Sequence, residues 1–503
     1  MPTLITRFII AACFTVAGSS GVATASPAKG AVVDDAQPHA VYPGWSRPPA
    51  QGKDYDTWLD AKGPDVSEVT VDANRLPSRV DNSERPEFPP VYRQRWGACG
   101  QFASVASVFT YEWNAAHGTT AEEMAFPAHF SWNMMNRAGN HGSEAYHGWE
   151  VAKRIGIPTA KVYGGVRLNE IGLWPSSYGT WRNAMNHRVV GYRYTPALTL
   201  EQLDEARGWL YDRNQPDEDG GAIGGVFQID GRMGKGEDRD KVTVTIPKGE
   251  HQAGEGLWTA WSATGYGHGM ACVGYDDEVG YDRNGDGSIT NDKDINGDGK
   301  VTLADWERGA WIVVNSWGNR WNADGKIYLL YSAMVDDSWP RGKYMGRIEV
   351  ASHAPRVTAR LKLACDNRTD LRMTVGIAAD SNAKAPEQTI KPEAFNGWPL
   401  FGRSNAGNVP LGGPGKDEPI EVGIELTELF DAIDADQSDT ARVFINLSRK
   451  DGGTATGQLH EAAIRFYDEK GGLLREVPIQ IDEGKFGESS LTASTVVEGL
   501  RSK

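Results

Sequence analysis

The chain is poor in cysteine, short of positive charge relative to negative, and without a long apolar run. Four cysteines in 503 residues are too few for a disulfide-stapled scaffold, which needs a dense, even set. The 52 Lys and Arg stand against 67 Asp and Glu, a formal net charge of −15. That balance repels phosphates, so it excludes nucleic acid as a partner and leaves peptides or neutral polymers. Nowhere does an apolar stretch reach the roughly 18 residues that span a bilayer, so no membrane span is expected and the mature chain reads as soluble. What is present is a globular composition, 40% hydrophobic with 10% aromatic residues, and nothing in it asks for an organic cofactor. Its length exceeds one ordinary core, which implies two or three domains.

The opening MPTLITRFIIAACFTVAGSSGVATAS has one arginine, an apolar stretch and a small-residue site, Ala23-Thr24-Ala25, before Ser26. This is the pattern of a signal peptide over residues 1–25, so a secreted protein, extracellular or periplasmic, is expected. A competing reading makes Cys13 a lipid-attachment cysteine, but only five residues separate it from Arg7, short for a signal's apolar core. Cleavage leaves Cys99, Cys272 and Cys365, an odd number that points to a free thiol. Cys272 lies in an apolar alternating stretch and reads as core; Cys365 falls in a different region, with a Cys272–Cys365 bridge as the alternative.

Residues 26–75 are rich in Pro, Gly, Asp and Ala with little periodicity, and read as a loosely structured segment or short pro-region. From 76 to 350 helical patterns come first and β-like runs later. After Cys99, the residues Phe102, Val105, Ala106, Phe109 and Trp113 recur at three- and four-residue spacing, which predicts a helix with one buried face. A second helix is expected over 145–155, closed by Gly156. The runs MACVGY and AWIVVNSW read as buried strands. Over 351–503 short alternating runs such as RVTARLKLAC and ARVFINLS, separated by turn residues, predict an antiparallel β-sandwich, with IELTELFDAID as a short helix across it.

An insert at 276–309 carries the pattern D-x-N-G-D-G twice, from Asp282 and from Asp294. Oxygen donors at alternating positions with glycine at the sixth suit a hard cation such as Ca²⁺, because the loop must wrap the ion. In the second loop Asp294, Asn296, Asp298, Lys300 through its carbonyl, Thr302 and Asp305 stand at positions one, three, five, seven, nine and twelve. The first loop supplies Asp282, Asn284 and Asp286 but has Lys293 at position twelve, so Asp292, Asp294 or water would have to close it. An acidic surface turn without metal is the bland alternative for both. No helix fits between the loops, which argues against an EF-hand pair or a dockerin-type anchor and for a structural calcium insert.

RQRWGACGQFASVAS places Cys99 where a polar, glycine-containing loop enters the apolar helix. Cys99 is either a small core residue or a nucleophile at the helix's positive end, where a thiolate is favoured if an imidazolium is near. His268, in GYGHGMACVGYDD, stands at a strand mouth flanked by glycines, unlike most of the other histidines, which fall in polar loops. Asn315, at the end of AWIVVNSWGNRW, can orient that imidazole, and Trp317 can cover the bond between them. Each alone is more often structural.

In this order the three pieces resemble the papain-like cysteine peptidases, in their bacterial secreted form. GACGQFASVA resembles that family's G-S-C-W-A-F-S-A-V, HGMACVGYD its H-A-V-x-x-V-G-Y strand, and WIVVNSWGNRWNADGKIYL its W-x-x-K-N-S-W-G-x-x-W-G-x-x-G-Y. The resemblance covers 76–350 and implies an α+β fold with a helical lobe and a β-rich lobe, followed here by the β-sandwich. It implies Cys99 as nucleophile, His268 as proton acceptor and donor, and Asn315 as its orienting group. The family's oxyanion glutamine lies six before the cysteine; position 93 here is arginine, and Gln94, five before, is the expected substitute, while Gln101 inside the helix points elsewhere. Gly100 stands where the family has tryptophan, which is expected to loosen the packing there. The glycine-rich substrate strand corresponds to Gly142 and Ser143.

These residues predict a secreted cysteine endopeptidase acting on peptide or protein substrates through an acyl-enzyme. Two other readings stand beside it: a retired peptidase domain that binds a polymer or surface together with the C-terminal domain, favoured by the altered glutamine spacing and Gly100, and an exopeptidase or transpeptidase on the same fold. The partner of the C-terminal domain is not legible.

Overall fold

The computed structural model describes residues 75–500 except 137–138, 169, 214–222, 235, 337, 397–407 and 434–438. The expected signal peptide and, but for its last residue, the 26–75 segment lie outside the described residues. The chain forms two units: residues 75–174 with 179–353, and 175–178 with those from 354 onward.

In the first unit the helices come early. The apolar spacing after Cys99 produces a continuous helical rod in three pieces: α1 (Cys99–Gln101), a wider π-helical stretch (Phe102–Phe109) and α2 (Thr110–His117). Ala98, Phe102 and Ala106 bury their face against Ala128 and Trp132 of α3 (Ala128–Met135). The helix expected over 145–155 is α4 (Tyr146–Arg154), with Ile155 as its C-cap. A fifth helix, α5 (Leu200–Asp212), begins behind Thr199, whose hydroxyl accepts from the Gln202 N–H, satisfying one of the orphan donors of the first turn.

Nine strands complete the unit among the described residues: β1 (Arg79–Asp81), β2 (His187–Pro196), β3 (Phe227–Met233), β4 (Thr243–Thr245), β5 (Gly256–Trp258), β6 (Tyr266–Gly280), β7 (Arg308–Val314), β8 (Lys326–Leu330) and β9 (Tyr344–Ser352). They form one sheet ordered β2-β9-β3-β6-β7-β8-β5-β4, with β1 also on β6. All pairs are antiparallel except β5 with β8. The two apolar runs read from the sequence are the central strands β6 and β7, buried almost throughout. Runs apolar on both faces belong in the middle of a covered sheet. Around them packs a core rich in tryptophan, including Trp209, Trp258, Trp261 and Trp311.

The second unit is built on antiparallel sheets. β10 (Val357–Cys365), β13 (Ile420–Glu425), β15 (Gly457–Tyr467), β16 (Leu473–Pro478) and β17 (Lys485–Phe486) form one; β11 (Leu371–Ala378), β12 (Gln388–Ile390), β14 (Thr440–Arg449) and β18 (Leu491–Glu498) form the other. On β10 the buried residues alternate, Ala359, Leu361, Leu363 and Cys365, the signature of a strand with one face on a core. The expected short helix is α6 (Thr427–Asp431). The mixed helix and sheet content, followed in sequence by antiparallel sheets, agrees with the α+β class read from the sequence. Among the described residues no helix is long and apolar enough to cross a membrane.

Candidate active site

Three separate stretches converge at Cys99. It opens α1 behind Ala98 and is buried. The loop before it is zippered to the loop carrying Asn315: the Gln94 N–H donates to the Ser316 carbonyl at 2.7 Å, the Gly318 N–H to the Tyr92 carbonyl at 3.0 Å, and Arg93 bridges Trp317. Strand β6 passes close against the start of the rod, since a Cβ on Gly269 would stand 2.9 Å from the Gly100 Cα. His268, its neighbour, is thereby brought to the thiol.

Asn315 Oδ1 lies 2.8 Å from His268 Nε2 and also accepts the Ser316 N–H at 2.7 Å. The Asn315 backbone N–H is itself tied to the Gly325 carbonyl at 2.9 Å. Trp317 lies over the His268 ring, centroids 5.0 Å apart, and Trp321 buttresses it edge-on at 5.1 Å, so the His268–Asn315 bond is shielded on one side. His268 Nδ1 has no partner of ordinary hydrogen-bond geometry, while Cys99 is among the groups that act on the ring. Burial works against a charged ring, yet Cys99, the Asn315 bond and the Asp230 carboxylate together raise its pKa above 6.5. Apo active sites commonly show such loose contacts.

The other two cysteines differ. Cys272 and Cys365 are buried, neither is in a disulfide, and burial pushes the Cys365 thiol up to about 12 and the Cys272 thiol higher still. Both are inert core residues, and the alternative bridge between them is not formed.

Gln94 is buried beside the site. Its Oε1 accepts the Ser316 hydroxyl at 2.7 Å and its Nε2 donates to the Trp96 carbonyl at 2.9 Å. Trp96 holds a positive φ of 56°, a conformation that costs energy for a bulky residue; stacking on Trp132 at 5.7 Å and His129 at 5.6 Å fixes it. Gln101 does point elsewhere: its amide donates to Ser143 Oγ and the Glu144 carbonyl, both at 3.0 Å, and its Oε1 accepts the Ser131 hydroxyl.

Gly100 corrects an expectation. Its packing is tight rather than loose, because a Cβ there would lie 2.3 Å from the Ser143 carbonyl oxygen. Backbone occupies the space a side chain would need. Gly142 and Ser143 accordingly run beside the start of α1: the Gly97 N–H donates to Asn140 Oδ1 at 2.6 Å, and Trp132 Nε1 to the His141 carbonyl at 3.0 Å.

Sequence reasoning missed Ser316, which tethers Gln94, and the charged residues next to His268. Asp230 on β3 is paired with Gly269, and Arg341 donates to both oxygens of Glu144 at 2.8 and 2.7 Å. The polar Asp230 inside the apolar run VFQID was the signal available.

The two acidic loops wind alike. In each, the first aspartate accepts the N–H groups of the fourth and sixth residues: Asp282 from Gly285 and Gly287, Asp294 from Gly297 and Gly299. Asp286 and Asp298 accept from Ser288 and Lys300, and Asn284 and Asn296 from Asp286 and Asp298. Buried Asp305 closes the second loop, accepting from Ile295, Asn296 and Thr302. The first loop is closed by neither Asp292 nor Asp294. Buried Glu307 accepts from Arg283, Asn284 and Thr290, the same three places. Lys293 instead pairs with Asp286 at 2.6 Å. Among the described residues no three His, Cys, Asp or Glu side chains converge on a common metal position.

No family model matches the sequence, and no curated protein matches it. Among solved structures the chain is similar to cysteine proteases of the papain-like kind. One is the bromelain protease of Ananas comosus, at 14% identity over 55% of this chain and 99% of that one, TM-score 0.34. Another is xylellain of Xylella fastidiosa, at 16% identity over 58% of this chain and 96% of that one, TM-score 0.33. A third is a ragweed pollen cysteine protease in its proform, at 18% identity over 57% of this chain and 67% of that one, TM-score 0.35.

Proposed function

We propose that the protein is a secreted cysteine endopeptidase, with a papain-like two-lobed domain at 76–350. The observation that carries this reading is the convergence of Cys99, His268 and Asn315, with the His268 pKa raised by its sulfur and amide neighbours. In the proposed reaction the Cys99 sulfur attacks a peptide carbonyl, giving a tetrahedral oxyanion. The Cys99 N–H and the Gln94 side-chain amide would be its donors. Protonated His268 then gives its Nδ1 proton to the leaving amine, and the bond between carbon and nitrogen breaks. Water, deprotonated by the now neutral His268, displaces sulfur from the acyl-enzyme and releases the acid. Trp317, Gly142 and Ser143 would flank the bound peptide.

The test is casein hydrolysis in reductant by the mature protein beside Cys99→Ala. Equal inactivity removes the reading, and mass spectrometry of the products separates endopeptidase from exopeptidase or transpeptidase action. A second reading, a retired domain that binds a polymer, is favoured by one observation, the donation of the Gln94 amide to the Trp96 carbonyl. Selective alkylation of Cys99 at about pH 5, where an ordinary thiol of pKa about 8.5 is inert, would count against it.

We propose further that the 276–309 insert binds structural Ca²⁺. The donors would be Asp282, Asn284 and Asp286 with Glu307, and Asp294, Asn296, Asp298, the Lys300 carbonyl, Thr302 and Asp305. An all-oxygen donor set of this order fits a hard cation.

A further inference from the structure

One group of charged side chains beside the candidate nucleophile is not used up by the proposed reaction, in which Asp230 only supports the charge on His268. Asp230 sits on β3 directly across from Gly269, and its neighbour Gly231 is across from His268 itself. The residue keeps partial contact with solvent. Even so, burial is the largest influence on its carboxyl, raising it well above the ordinary carboxylate range; Glu144 raises it further, while Arg341, the Gln228 amide and His268 act the other way. A group so crowded by protein and still reached by solvent lies on the floor of a cleft.

The walls of that cleft are charged. Glu144 follows Ser143 in the segment packed on α1, and its carboxylate takes the Arg341 guanidinium; their side chains keep 33% and 23% of their exposure. Beneath them Gln228 is fully buried and directional. Its Nε2 donates to Asp230 Oδ1 at 2.9 Å while the Tyr194 hydroxyl donates to its Oε1 at 3.0 Å. That chain holds Asp230 in place and leaves its second oxygen uncommitted to Gln228. His147, the other titratable group facing Glu144 and Arg341, is held neutral by burial, its pKa lowered to about 4.

Two carboxyl groups, Asp230 and Glu144, stand with one guanidinium, Arg341, which is paired with Glu144; burial and the Glu144 charge raise the Asp230 pKa to about 7, so near neutral pH it is only partly ionised. The imidazolium of His268 is matched by the sulfur it serves. A further cation entering the cleft would favour the ionised form of Asp230 and pair with it. Such a cation would sit next to the bond under attack.

We infer that Asp230 and Glu144, with Arg341 between them, form a specificity cleft that takes a basic side chain, Arg or Lys, of a peptide held across Cys99. The inference deepens the peptidase reading and rests on it only for the ligand being a peptide. Uncharged side chains of the same length gain nothing from this cleft, and acidic ones meet net repulsion.

Binding separates the two ideas. Short alanine-based peptides carrying one arginine, citrulline or glutamate at each position in turn are titrated against full-length mature Cys99→Ala protein, and cleavage of the same set by the unmutated protein is read by mass spectrometry. Citrulline keeps the shape of arginine without its charge. At one position arginine binds about tenfold or more tightly than citrulline. Asp230→Asn, and separately Glu144→Gln, bring that ratio close to one. Equal binding of the arginine and citrulline sets at every position overturns the cleft, as does a ratio that survives both substitutions or a preference for glutamate. Cleavage without an arginine preference overturns the cleft and leaves the peptidase; a preference without cleavage does the reverse. Should either substitution prevent folding, the ratio is read on the Cys99→Ala protein from about 50 to 500 mM NaCl. A charge-based preference falls with salt, and a ratio that stays constant overturns it.

Discussion

Asn315 Oδ1 stands 2.8 Å from His268 Nε2 and 2.7 Å from the Ser316 N–H, and the second contact determines the first. A backbone N–H can only donate, so the atom it meets must be the amide oxygen, and His268 Nε2 must then carry the proton. The proton exchanged with sulfur is therefore the one on Nδ1. Asn315 also helps raise the His268 pKa above 6.5. Asn315→Ala should lower kcat by about 10²- to 10⁴-fold with a smaller change in KM, and should move the alkaline limb of kcat/KM to lower pH, because one support of the imidazolium is gone. A pH–rate profile of both proteins checks this; an unshifted limb would remove Asn315 from the role.

Gln94 is held at both ends of its amide, by the Ser316 hydroxyl and the Trp96 carbonyl. Gln94→Ala should cost about 10²- to 10³-fold in kcat, the usual loss for one oxyanion donor. Ser316→Ala should cost less, because the Trp96 contact persists. Steady-state kinetics on a peptide substrate order the two, and a larger loss for Ser316→Ala would contradict the assignment.

Cys99, His268 and Asn315 were legible because each lies in a run whose local physics is plain: a loop entering a helix, a glycine-flanked strand mouth, a strand end before a turn. The buried strands β6 and β7 were legible from their unbroken apolar character. Glu144, Asp230 and Arg341 were not, for they sit in three separate stretches and meet only when β3 and α4 flank the same cleft. Glu307 was missed for a related reason: it closes the first loop from beyond the second, and no spacing rule links it to Asp282. The packing of Gly100 was misread because the Ser143 carbonyl that fills its side-chain space comes from a distant segment.

That close approach makes Gly100 sensitive. A Cβ 2.3 Å from the Ser143 oxygen must push the 142–144 segment away. Gly100→Ala should destabilise the protein by about 1–3 kcal/mol, as overpacking does, and raise KM if that segment borders the substrate. Urea unfolding and kinetics measure the two effects; an unchanged urea midpoint would contradict the packing.

His147 is buried and neutral, its pKa lowered from 6.5 to about 4, chiefly by burial. An imidazole that charges more readily unfolded than folded contributes stability above pH 6.5 and loses it as pH falls toward 4, by up to about 1.4 kcal/mol per pH unit. His147→Gln carries no such proton. The stability difference between wild type and variant should therefore shrink from pH 7 to pH 5, whatever the other groups do, since they are common to both. Urea midpoints at the two pH values test the sign.

Glu307 and Asp305 close their loops through matching sets of backbone N–H groups. Backbone donors hold the Asp305 carboxyl below its usual range in spite of burial, so it is ionised and suited to a cation. If the insert binds Ca²⁺ in its folded form only, millimolar Ca²⁺ should raise Tm relative to chelator, in proportion to RT ln(1 + [Ca²⁺]/Kd). Glu307→Gln should remove the part of that shift due to the first loop and Asp305→Asn the part due to the second. Mg²⁺, which dehydrates reluctantly and demands a tighter octahedron, should give a smaller shift. Scanning calorimetry of the three proteins with each ion distinguishes two sites from one, and a Tm indifferent to Ca²⁺ in the wild type leaves both loops as metal-free acidic turns.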